Sequence, residues 1–444
     1  MRQKRLFLLP IILVTLFCSV SSAPKNGVGK YNQRPHMERK NKVQLPHNVP
    51  DGYRIAQGDM LVPQGRKFIN WPEGKWPEDP ITGWPSVPYV LDEDVEVDRT
   101  VIESGLQHWM DNTCITFQET KNESQPHLRF IASDGGCWSY FGRQPQNGQD
   151  IMACDTIDVV THELGHAIGF FHEQSRSDRD AYVKILWENV APGYESEFQT
   201  EDSLNDVEYD YTSVMHYWST EFSGNGKQTM MPWNPYDEIL MYAVYGPFGV
   251  LTFRDKLLAN IEYGCLDKWS SNCEGSELEC LNQGYLGADC KCVCPPGTEG
   301  ETCETVIGDY YPPLSCGGNV TSPSTIHTPN YPDSYNPLEY CMWWIQAPED
   351  KKVQITFTDF DLCYHDVDAD DQLFCNELWD SLEIRLEDPL TPGELYCGES
   401  EGQYADADIG PGQQFTSEGS NMFIKFYGSD WNYWRGFTAD VDFV

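Results

Sequence analysis

Residues 162–173 read His-Glu-Leu-Gly-His-Ala-Ile-Gly-Phe-Phe-His-Glu, and this stretch decides how the rest of the chain is interpreted. His162 and His166 are four residues apart, so on a helix both imidazoles project from one face and can reach one metal ion. Glu163 lies one position further round, where a carboxylate can take a proton from the attacking water. The glycine three residues after the second histidine lets the helix end in a left-handed turn, which can bring His172 back as a third ligand. The spacing predicts a catalytic zinc site with an open fourth position.

The alternative interpretation of this stretch is an amphipathic helix that happens to contain histidines. Five fixed residues at fixed spacing arise by chance in a chain of this length with a probability on the order of one in ten thousand. The seven other histidines have no ligand spacing with one another, so we expect surface or core roles for them. Zinc binding by the motif is therefore favoured.

A second element lies at residues 213–217, Ser-Val-Met-His-Tyr. Together with the extended histidine motif, it resembles the metzincin metalloproteases and, more narrowly, the astacin family. The resemblance implies that Met215 forms a hydrophobic floor beneath the metal and that Tyr217 stabilises the tetrahedral oxyanion. It also implies that Glu173 engages the new amino terminus after a prosegment is removed.

Short apolar segments surround one helical pattern upstream of the zinc motif. Residues 87–91, 113–117 and 127–131 are typical of strands, and residues 101–110 repeat apolar side chains at helical spacing. With a zinc helix from about Asp155, this order predicts an α+β domain over residues 71–267, a sheet flanked by helices. The astacin resemblance includes residues 137–143, the region whose edge strand pairs with extended substrate in that family.

The first 23 residues have the layout of a secretory signal. Basic residues precede an apolar run from Leu6 to Phe17, and small residues follow up to Ala23. The apolar run is too short to span a bilayer, and no later stretch approaches that length. We therefore expect an exported, extracellular chain with no membrane span. Two sequons predict glycosylation at Asn122 and Asn319.

Residues 24–70 are rich in Lys, Arg, Asn, Pro and Gly and contain no cysteine. This composition predicts a flexible segment rather than a folded domain. Within it, residues 56–59, Ala-Gln-Gly-Asp, resemble the astacin prosegment motif, although that family prefers an aromatic residue in place of Ala56. The resemblance implies that Asp59 fills the open zinc position of a zymogen until an activating protease removes the segment. Residues 65–67, Gly-Arg-Lys, are a candidate processing site.

Sixteen cysteines are typical of a chain that folds in an oxidising compartment. In the predicted protease domain, the resemblance implies the disulfides Cys137–Cys154 and Cys114–Cys265. Zinc ligation by these thiols is disfavoured, since their wide spacing lacks the paired short loops of such sites.

Six cysteines crowd residues 268–304, a unit too small to fold without disulfides. Spacing alone leaves 15 pairings open. The Cys-x-Cys pair and the Cys-Pro-Pro-Gly that follows resemble an EGF-like module. The pairs implied by this resemblance are Cys273–Cys290, Cys280–Cys292 and Cys294–Cys303. Residues 305–315 are expected to be a linker.

Residues 316–444 show alternating strands, such as 353–357, 382–386 and 422–426. This periodicity predicts a β-sandwich. The Cys-Gly-Gly at 316–318, Pro-Asn-Tyr-Pro at 329–332 and Tyr-Cys-Gly at 396–398 resemble a CUB domain. The resemblance implies the disulfides Cys316–Cys341 and Cys375–Cys397, with Cys363 left over as a thiol or bonded to another partner.

Many CUB domains hold calcium through a glutamate after Phe-Asp-Leu and two later aspartates. Asp380 and Asp430 match the aspartates, but Cys363 stands at the glutamate position. Further oxygen ligands could come from the same loop, which contains Asp366, Asp368, Asp370 and Asp371. A calcium ion and a solvated acidic loop both remain open interpretations.

The formal charge of −39 argues against binding to nucleic acid or to an anionic membrane surface. The whole pattern predicts a secreted zinc endopeptidase, made as a zymogen, that cleaves extracellular proteins, with matrix or cuticle-type substrates possible by family analogy. The competing hypothesis is a catalytically silent matrix-binding or adhesion protein that acts through its EGF-like and CUB modules. The intact zinc motif, Glu163 and Tyr217 favour the enzyme.

Overall fold

The computed structural model describes residues 49, 52–63, 74–93, 95, 99–132, 136–152, 156–242, 251–273, 278–363, 366–367, 373–375, 380–400, 407–429 and 434–444. The predicted signal, most of the prosegment, Cys154 and Asp430 lie outside these residues. Within the part of the chain that is described, every helix is too short or too polar to cross a bilayer.

One mixed sheet begins the predicted protease domain, and its described strands run in the order β1-β2-β6-β7-β5-β3-β4. β3 pairs in parallel with β4 and β5, β5 pairs in parallel with β7, and β6 runs antiparallel to β7. The strands are β1 (Tyr53–Ala56), β2 (Met60–Pro63), β3 (Ser86–Leu91), β4 (Thr116–Glu119), β5 (Leu128–Phe130), β6 (Trp138–Tyr140) and β7 (Gln149–Met152).

Two helices pack against each other beside this sheet, α1 (Arg99–Asn112) and α2 (Ile157–Ala167). The helical repeat of apolar residues predicted α1, and its side chain Trp109 is buried with its indole N–H donating to the Thr161 carbonyl of α2. Gly105 permits the close approach, because a Cβ there would lie 2.5 Å from Val160 Cγ1. Helices on a sheet confirm the predicted α+β class.

The prediction of an unstructured prosegment is wrong for its described part. β1 and β2 form an antiparallel hairpin, and β2 continues the sheet by pairing in parallel with β6. Met60 and Leu61 are fully buried there. The prediction was wrong because it used the average composition of the whole segment, in which a short apolar hairpin is not visible. A two-stranded hairpin is marginally stable by itself, and this one is stabilised by the sheet that it extends.

After α2 the chain forms short 3-10 turns, a two-stranded ribbon and three helices. These elements are the turns Glu173–Ser175, Arg179–Ala181, Glu195–Phe198 and Pro235–Asp237, the strands β8 (Val183–Ile185) and β9 (Met230–Pro232), and the helices α3 (Glu238–Tyr242), α4 (Phe253–Glu262) and α5 (Cys265–Asn272). The domain boundary expected at residue 267 falls inside α5. Trp269 of this helix packs into the same core as Trp109.

The small module that follows contains β10 (Tyr285–Leu286), β11 (Cys292–Val293), β12 (Thr298–Glu299) and β13 (Thr305–Val306). β13 pairs with β12, so the expected linker begins with a strand. Disulfides join Cys273–Cys290, Cys280–Cys292 and Cys294–Cys303, the pairs that the EGF-like resemblance implies. Tyr285 packs against Phe253 of α4, which ties the module to the protease core.

The carboxyl-terminal domain is a β-sandwich. Its two larger sheets have the strand orders β14-β16-β23-β20-β21 and β15-β24-β17-β22, and apolar side chains fill the space between them. The strands are β14 (Cys316–Val320), β15 (Ser324–His327), β16 (Tyr340–Gln346), β17 (Val353–Asp361), β18 (Asp366–Val367), β19 (Leu373–Phe374), β20 (Ser381–Arg385), β21 (Glu394–Tyr396), β22 (Gln414–Thr416), β23 (Asn421–Tyr427) and β24 (Gly436–Phe443).

The remaining disulfides in the described residues are Cys114–Cys265, Cys316–Cys341 and Cys375–Cys397. Cys137 is also disulfide-bonded, and its expected partner Cys154 lies outside the described residues. Cys363 is buried in the sandwich core.

Only one of the candidate calcium ligands has a described side chain. Asp380 is buried and accepts hydrogen bonds from the Tyr335 hydroxyl at 2.7 Å and from the Ser429 backbone N–H at 3.0 Å. Asp430, Asp368, Asp370, Asp371 and the side chain of Asp366 lie outside the described residues. A calcium site in this domain stays a prediction.

Candidate active site

Three histidine side chains converge on one point. α2 presents His162 and His166 one turn apart. After α2 the chain reverses at Gly169, whose φ of 104° lies in the region that glycine adopts readily, and this turn brings His172 back to the other two histidines. The Nε2 atoms of His162 and His172 lie 3.2 Å apart. All three imidazoles are buried.

The other ring nitrogen of each histidine fixes its orientation. Nδ1 of His162 lies 2.7 Å from the Val214 carbonyl oxygen, and Nδ1 of His166 lies 2.7 Å from the Phe170 carbonyl oxygen. Since carbonyl oxygens only accept, each Nδ1 carries the proton and each Nε2 directs a lone pair inward. His172 Nδ1 is 3.0 Å from Gln57 Oε1.

This donor set fits a bound zinc ion. Burial lowers the pKa of His166 and lowers that of His172 to about 3, so both rings are neutral ligands at physiological pH. His162 is buried as well, but its hydrogen bond to Asp59 and the negative charge of that carboxylate raise its pKa. Nε2 of His166 is buried and makes no hydrogen bond. Inward lone pairs without protons repel one another unless a cation lies between them, and three neutral imidazoles are a common ligand set for catalytic zinc.

Asp59 of the β1–β2 hairpin lies on the open side of the three histidines. Its Oδ2 is 3.3 Å from His162 Nε2 and 3.2 Å from His172 Nε2, and its Oδ1 is 3.5 Å from His166 Nε2. These four side chains together could hold a metal ion. The carboxylate thus occupies the fourth direction, where a water would otherwise bind.

Glu163 lies beside the histidines and is 2% exposed. Its Oε2 atom is buried and has no hydrogen-bond partner. Burial, reinforced by the negative charge of Asp59, raises the pKa of the Glu163 carboxyl well above its ordinary value. A carboxylate with a raised pKa accepts a proton more readily than an ordinary exposed one.

Met215 and Tyr217 border the site from the segment after β8. The sulfur of Met215 lies 2.6 Å from the position that a Cβ on Gly165 would take, so the methionine packs directly beneath α2. The ring of Tyr217 is 4.4 Å from that of His172. Its hydroxyl donates a hydrogen bond to the Gln57 carbonyl oxygen of the hairpin. The β1–β2 hairpin therefore holds the hydroxyl that the resemblance assigns to the oxyanion.

Glu173, which directly follows the third histidine in the sequence, is buried. Its Oε1 accepts hydrogen bonds from Arg176 at 3.0 Å and from the Asp210 backbone N–H at 2.8 Å, and its own backbone N–H donates to the Met215 carbonyl oxygen at 2.8 Å. Burial raises the pKa of Glu173 to about 8. Glu173 thus links the end of the zinc motif to Asp210 through its carboxylate and to Met215 through its backbone N–H.

Comparisons with known proteins agree with this geometry. Residues 73–263 match the model of the Astacin peptidase family, and residues 316–441 match the CUB domain. The chain contains an astacin-family domain.

Among its astacin-type relatives, the chain is 32% identical to Blastula protease 10 of Paracentrotus lividus, over 87% of this chain and 61% of that protein. It is 27% identical to zinc metalloproteinase nas-27 of Caenorhabditis elegans, over 95% of this chain and 96% of that protein. Among solved structures, High choriolytic enzyme 1, a hatching enzyme zinc-protease from Oryzias latipes, is 31% identical over 45% of this chain and 98% of that chain, with a TM-score of 0.38. The chain spans about three fifths of the length of Blastula protease 10.

Sequence reasoning missed three residues that support the astacin site. Gln57 contacts both His172 and Tyr217, and Gln174 Oε1 accepts the Tyr217 backbone N–H at 3.0 Å. Asp255, in the first turn of α4, accepts from the Ser213 hydroxyl at 2.6 Å and the Val214 N–H at 3.1 Å. Gln57 lies inside the prosegment motif and could have been singled out there. The other two have no sequence signal, because their partners are distant in the chain.

Replacing Gly165 with alanine is expected to destabilise the astacin domain by about 1–3 kcal/mol, because the new methyl group would lie 2.6 Å from the Met215 sulfur in a filled core. The thermal unfolding midpoint of the two proteins measures the effect. Gly308→Ala is the matched control, since a Cβ there meets nothing within 4 Å. Equal midpoints for Gly165→Ala and Gly308→Ala would contradict the close packing of Met215 on α2.

Proposed function

We propose that this chain is a secreted zinc endopeptidase, made as a zymogen, that cleaves extracellular proteins. The observation that supports it best is the convergence of three buried Nε2 atoms with Glu163 beside them and Asp59 opposite them. Zinc would be held by His162, His166 and His172, and when bound it supplies Lewis-acid polarisation of water and of the scissile carbonyl.

Three parts of the protein then have separate roles in proton transfer, oxyanion stabilisation and substrate binding. Glu163, buried beside the histidines, takes a proton from the attacking water and returns it to the leaving amine. Once the Tyr217 hydroxyl is released from the Gln57 carbonyl oxygen, it donates a hydrogen bond to the oxyanion of the tetrahedral intermediate. β6, once freed from β2, offers an unpaired strand edge to an extended substrate segment.

Three contacts of one hairpin support inhibition by the prosegment. Asp59 lies against the zinc-motif histidines, the Gln57 carbonyl holds the Tyr217 hydroxyl, and β2 covers the edge of β6. Removal of the hairpin by an activating protease would release all three at once. Glu173 would then be placed to engage the new amino terminus, as the family resemblance implies.

Export is supported by the disulfides of the described residues, which persist in oxidising compartments. Both predicted glycosylation sites, Asn122 and Asn319, lie on the surface. The competing adhesion hypothesis has less support, because the side chains needed for chemistry are present and come together.

The purified full-length chain, before and after limited trypsin treatment at residues 65–67, tests this function. We expect about one zinc per chain in both forms, and cleavage of an unfolded protein only after treatment, lost on chelation and restored by zinc. Untreated Asp59→Ala should cleave roughly 10- to 100-fold faster than the untreated wild type, since charge-assisted contacts worth about 1.5–3 kcal/mol hold the latch closed.

A treated chain that holds zinc and cleaves nothing would contradict the proposal and favour the adhesion protein. An Asp59→Ala chain as silent as the untreated wild type, but activated normally by trypsin, would contradict only the latch role of Asp59.

A further inference from the structure

Two tyrosines in the expected linker between the small module and the CUB domain reach into the protease domain. The Tyr311 hydroxyl donates to Asp210 Oδ1 at 3.0 Å and accepts from the Tyr211 backbone N–H at 3.1 Å. The Tyr310 hydroxyl donates to the other oxygen, Asp210 Oδ2, at 3.2 Å. One buried carboxylate is thus bonded on both oxygens by neighbouring linker residues.

Arg254 of α4 holds the two tyrosine rings in place. Its guanidinium carbon lies 3.8 Å from the centre of the Tyr310 ring, within the range of a cation–π contact. Its Nη1 donates to the Tyr311 hydroxyl at 3.1 Å and to the Tyr209 carbonyl oxygen at 2.8 Å. Arg254 is 8% exposed. The tyrosines therefore occupy a prepared position on the protease domain.

Asp210 connects this contact to the active site in two further hydrogen bonds. Its backbone N–H donates to Glu173 Oε1, and the Glu173 N–H donates to the Met215 carbonyl oxygen, each at 2.8 Å. Glu173 directly follows the zinc-motif residue His172, and Met215 lies under α2. A shift of Asp210 would therefore be transmitted to the floor of the metal site.

The linker is fixed at both of its ends. Toward the small module, the N–H groups of Ile307 and Gly308 donate to the Gly297 carbonyl oxygen at 2.8 and 3.1 Å. Toward the CUB domain, the Ser315 hydroxyl at the end of the linker donates to Glu339 Oε1 at 2.6 Å. The CUB domain is itself held to α3 by buried ion pairs of Glu238 with Arg385 at 2.7 Å and Lys425 at 2.6 Å. The segment that carries the two tyrosines is therefore held in place at both of its ends.

We propose that Tyr310 and Tyr311 are positioning residues for catalysis, acting through Asp210 on the Glu173–Met215 floor of the metal site. The modules after the protease domain then form part of the catalytic unit, in addition to any role in binding substrate. This inference rests on the proposed function, because it assigns a positioning role in that same reaction.

The test compares the trypsin-activated full-length enzyme with its Tyr310→Phe/Tyr311→Phe double variant. Both rings remain, so the change removes only the two hydroxyl groups. We expect kcat on a short peptide to fall about 10- to 100-fold, the scale of a small misplacement at a catalytic centre, with KM within about twofold. Zinc release to an excess of chelator should be faster by about tenfold, because the floor is less rigid.

Tyr331→Phe is the matched control. The Tyr331 hydroxyl also donates to a carboxylate, Asp359 at 2.9 Å, but both residues belong to the CUB domain. We expect this variant to match the wild type in kcat, KM and zinc release. A similar loss in Tyr331→Phe would show a general effect of hydroxyl removal and would overturn the positioning role.

The outcomes separate the two proposals. A wild type that cleaves, with a double variant equal to it in kcat and in zinc release, would overturn the positioning role alone. A wild type that cleaves nothing would contradict the proposed function, and zinc release would still decide whether the tyrosines support the floor. Should the double variant fail to fold, Tyr310→Phe, which removes the longer bond, gives the same two readouts.

Discussion

Glu163→Gln is expected to abolish most peptide cleavage while the protein keeps its zinc. Glutamine has the shape of glutamate but cannot accept a proton, and loss of a positioned general base typically lowers rates by about 10²–10⁴-fold. Glu163 is not among the four side chains that converge on the metal position, so the ligand set stays intact. The measurements are kcat on an unfolded protein and zinc content of the activated chain.

The matched control for this substitution is Glu103→Gln on the neighbouring helix α1. Glu103 is exposed and pairs with Arg99 at 2.7 Å, so its removal should change kcat little. Loss of zinc from Glu163→Gln would show that the carboxylate supports the ligands rather than the proton transfer. Full activity in Glu163→Gln would contradict the general-base role outright.

Glu238→Gln is expected to cost about 3–5 kcal/mol of stability at the contact between the protease and CUB domains, the usual cost of breaking a buried ion pair. Glu238 is fully buried and neutralises, together with Glu383, the charges of Arg385 and Lys425. Glutamine would leave one positive charge in excess in a site without solvent. The thermal midpoint of the transition that includes this contact should fall by roughly 6–20 °C.

Glu394→Gln controls for charge removal at the same domain contact. Glu394 pairs with Lys227 of the protease domain at 2.9 Å, but both side chains are exposed, so the expected loss is under about 1 kcal/mol. Equal midpoints for Glu238→Gln and the wild type would mean that water reaches the cluster, and the two domains would then be free to separate.

The zinc helix and the sandwich could be predicted because their signals are local. His162 and His166 share a helix face by spacing alone, and the alternation at 353–357, 382–386 and 422–426 matches β17, β20 and β23. The disulfide pairs needed more than spacing, since six cysteines allow 15 pairings and only the family resemblance chose among them.

The prosegment hairpin could not be predicted in the same way. β2 pairs locally with β1, but a two-stranded hairpin is marginal by itself, and β2 joins the sheet by pairing with β6, which lies more than seventy residues later in the chain. A segment whose stability comes from a distant partner has no period of its own to reveal it.

The sequence by itself determined the chemistry of the site: two histidines one turn apart on a helix, a glutamate directly after the first, a reversal at Gly169, and a third histidine beyond it. The tertiary structure decided what surrounds that chemistry. Asp59 faces the histidines, Asp210 receives Tyr310 and Tyr311, and Glu238 lies between two cations of another domain. Local spacing is fixed by backbone geometry, whereas these contacts join residues about 100 or more positions apart, and only packing of the whole chain brings them together.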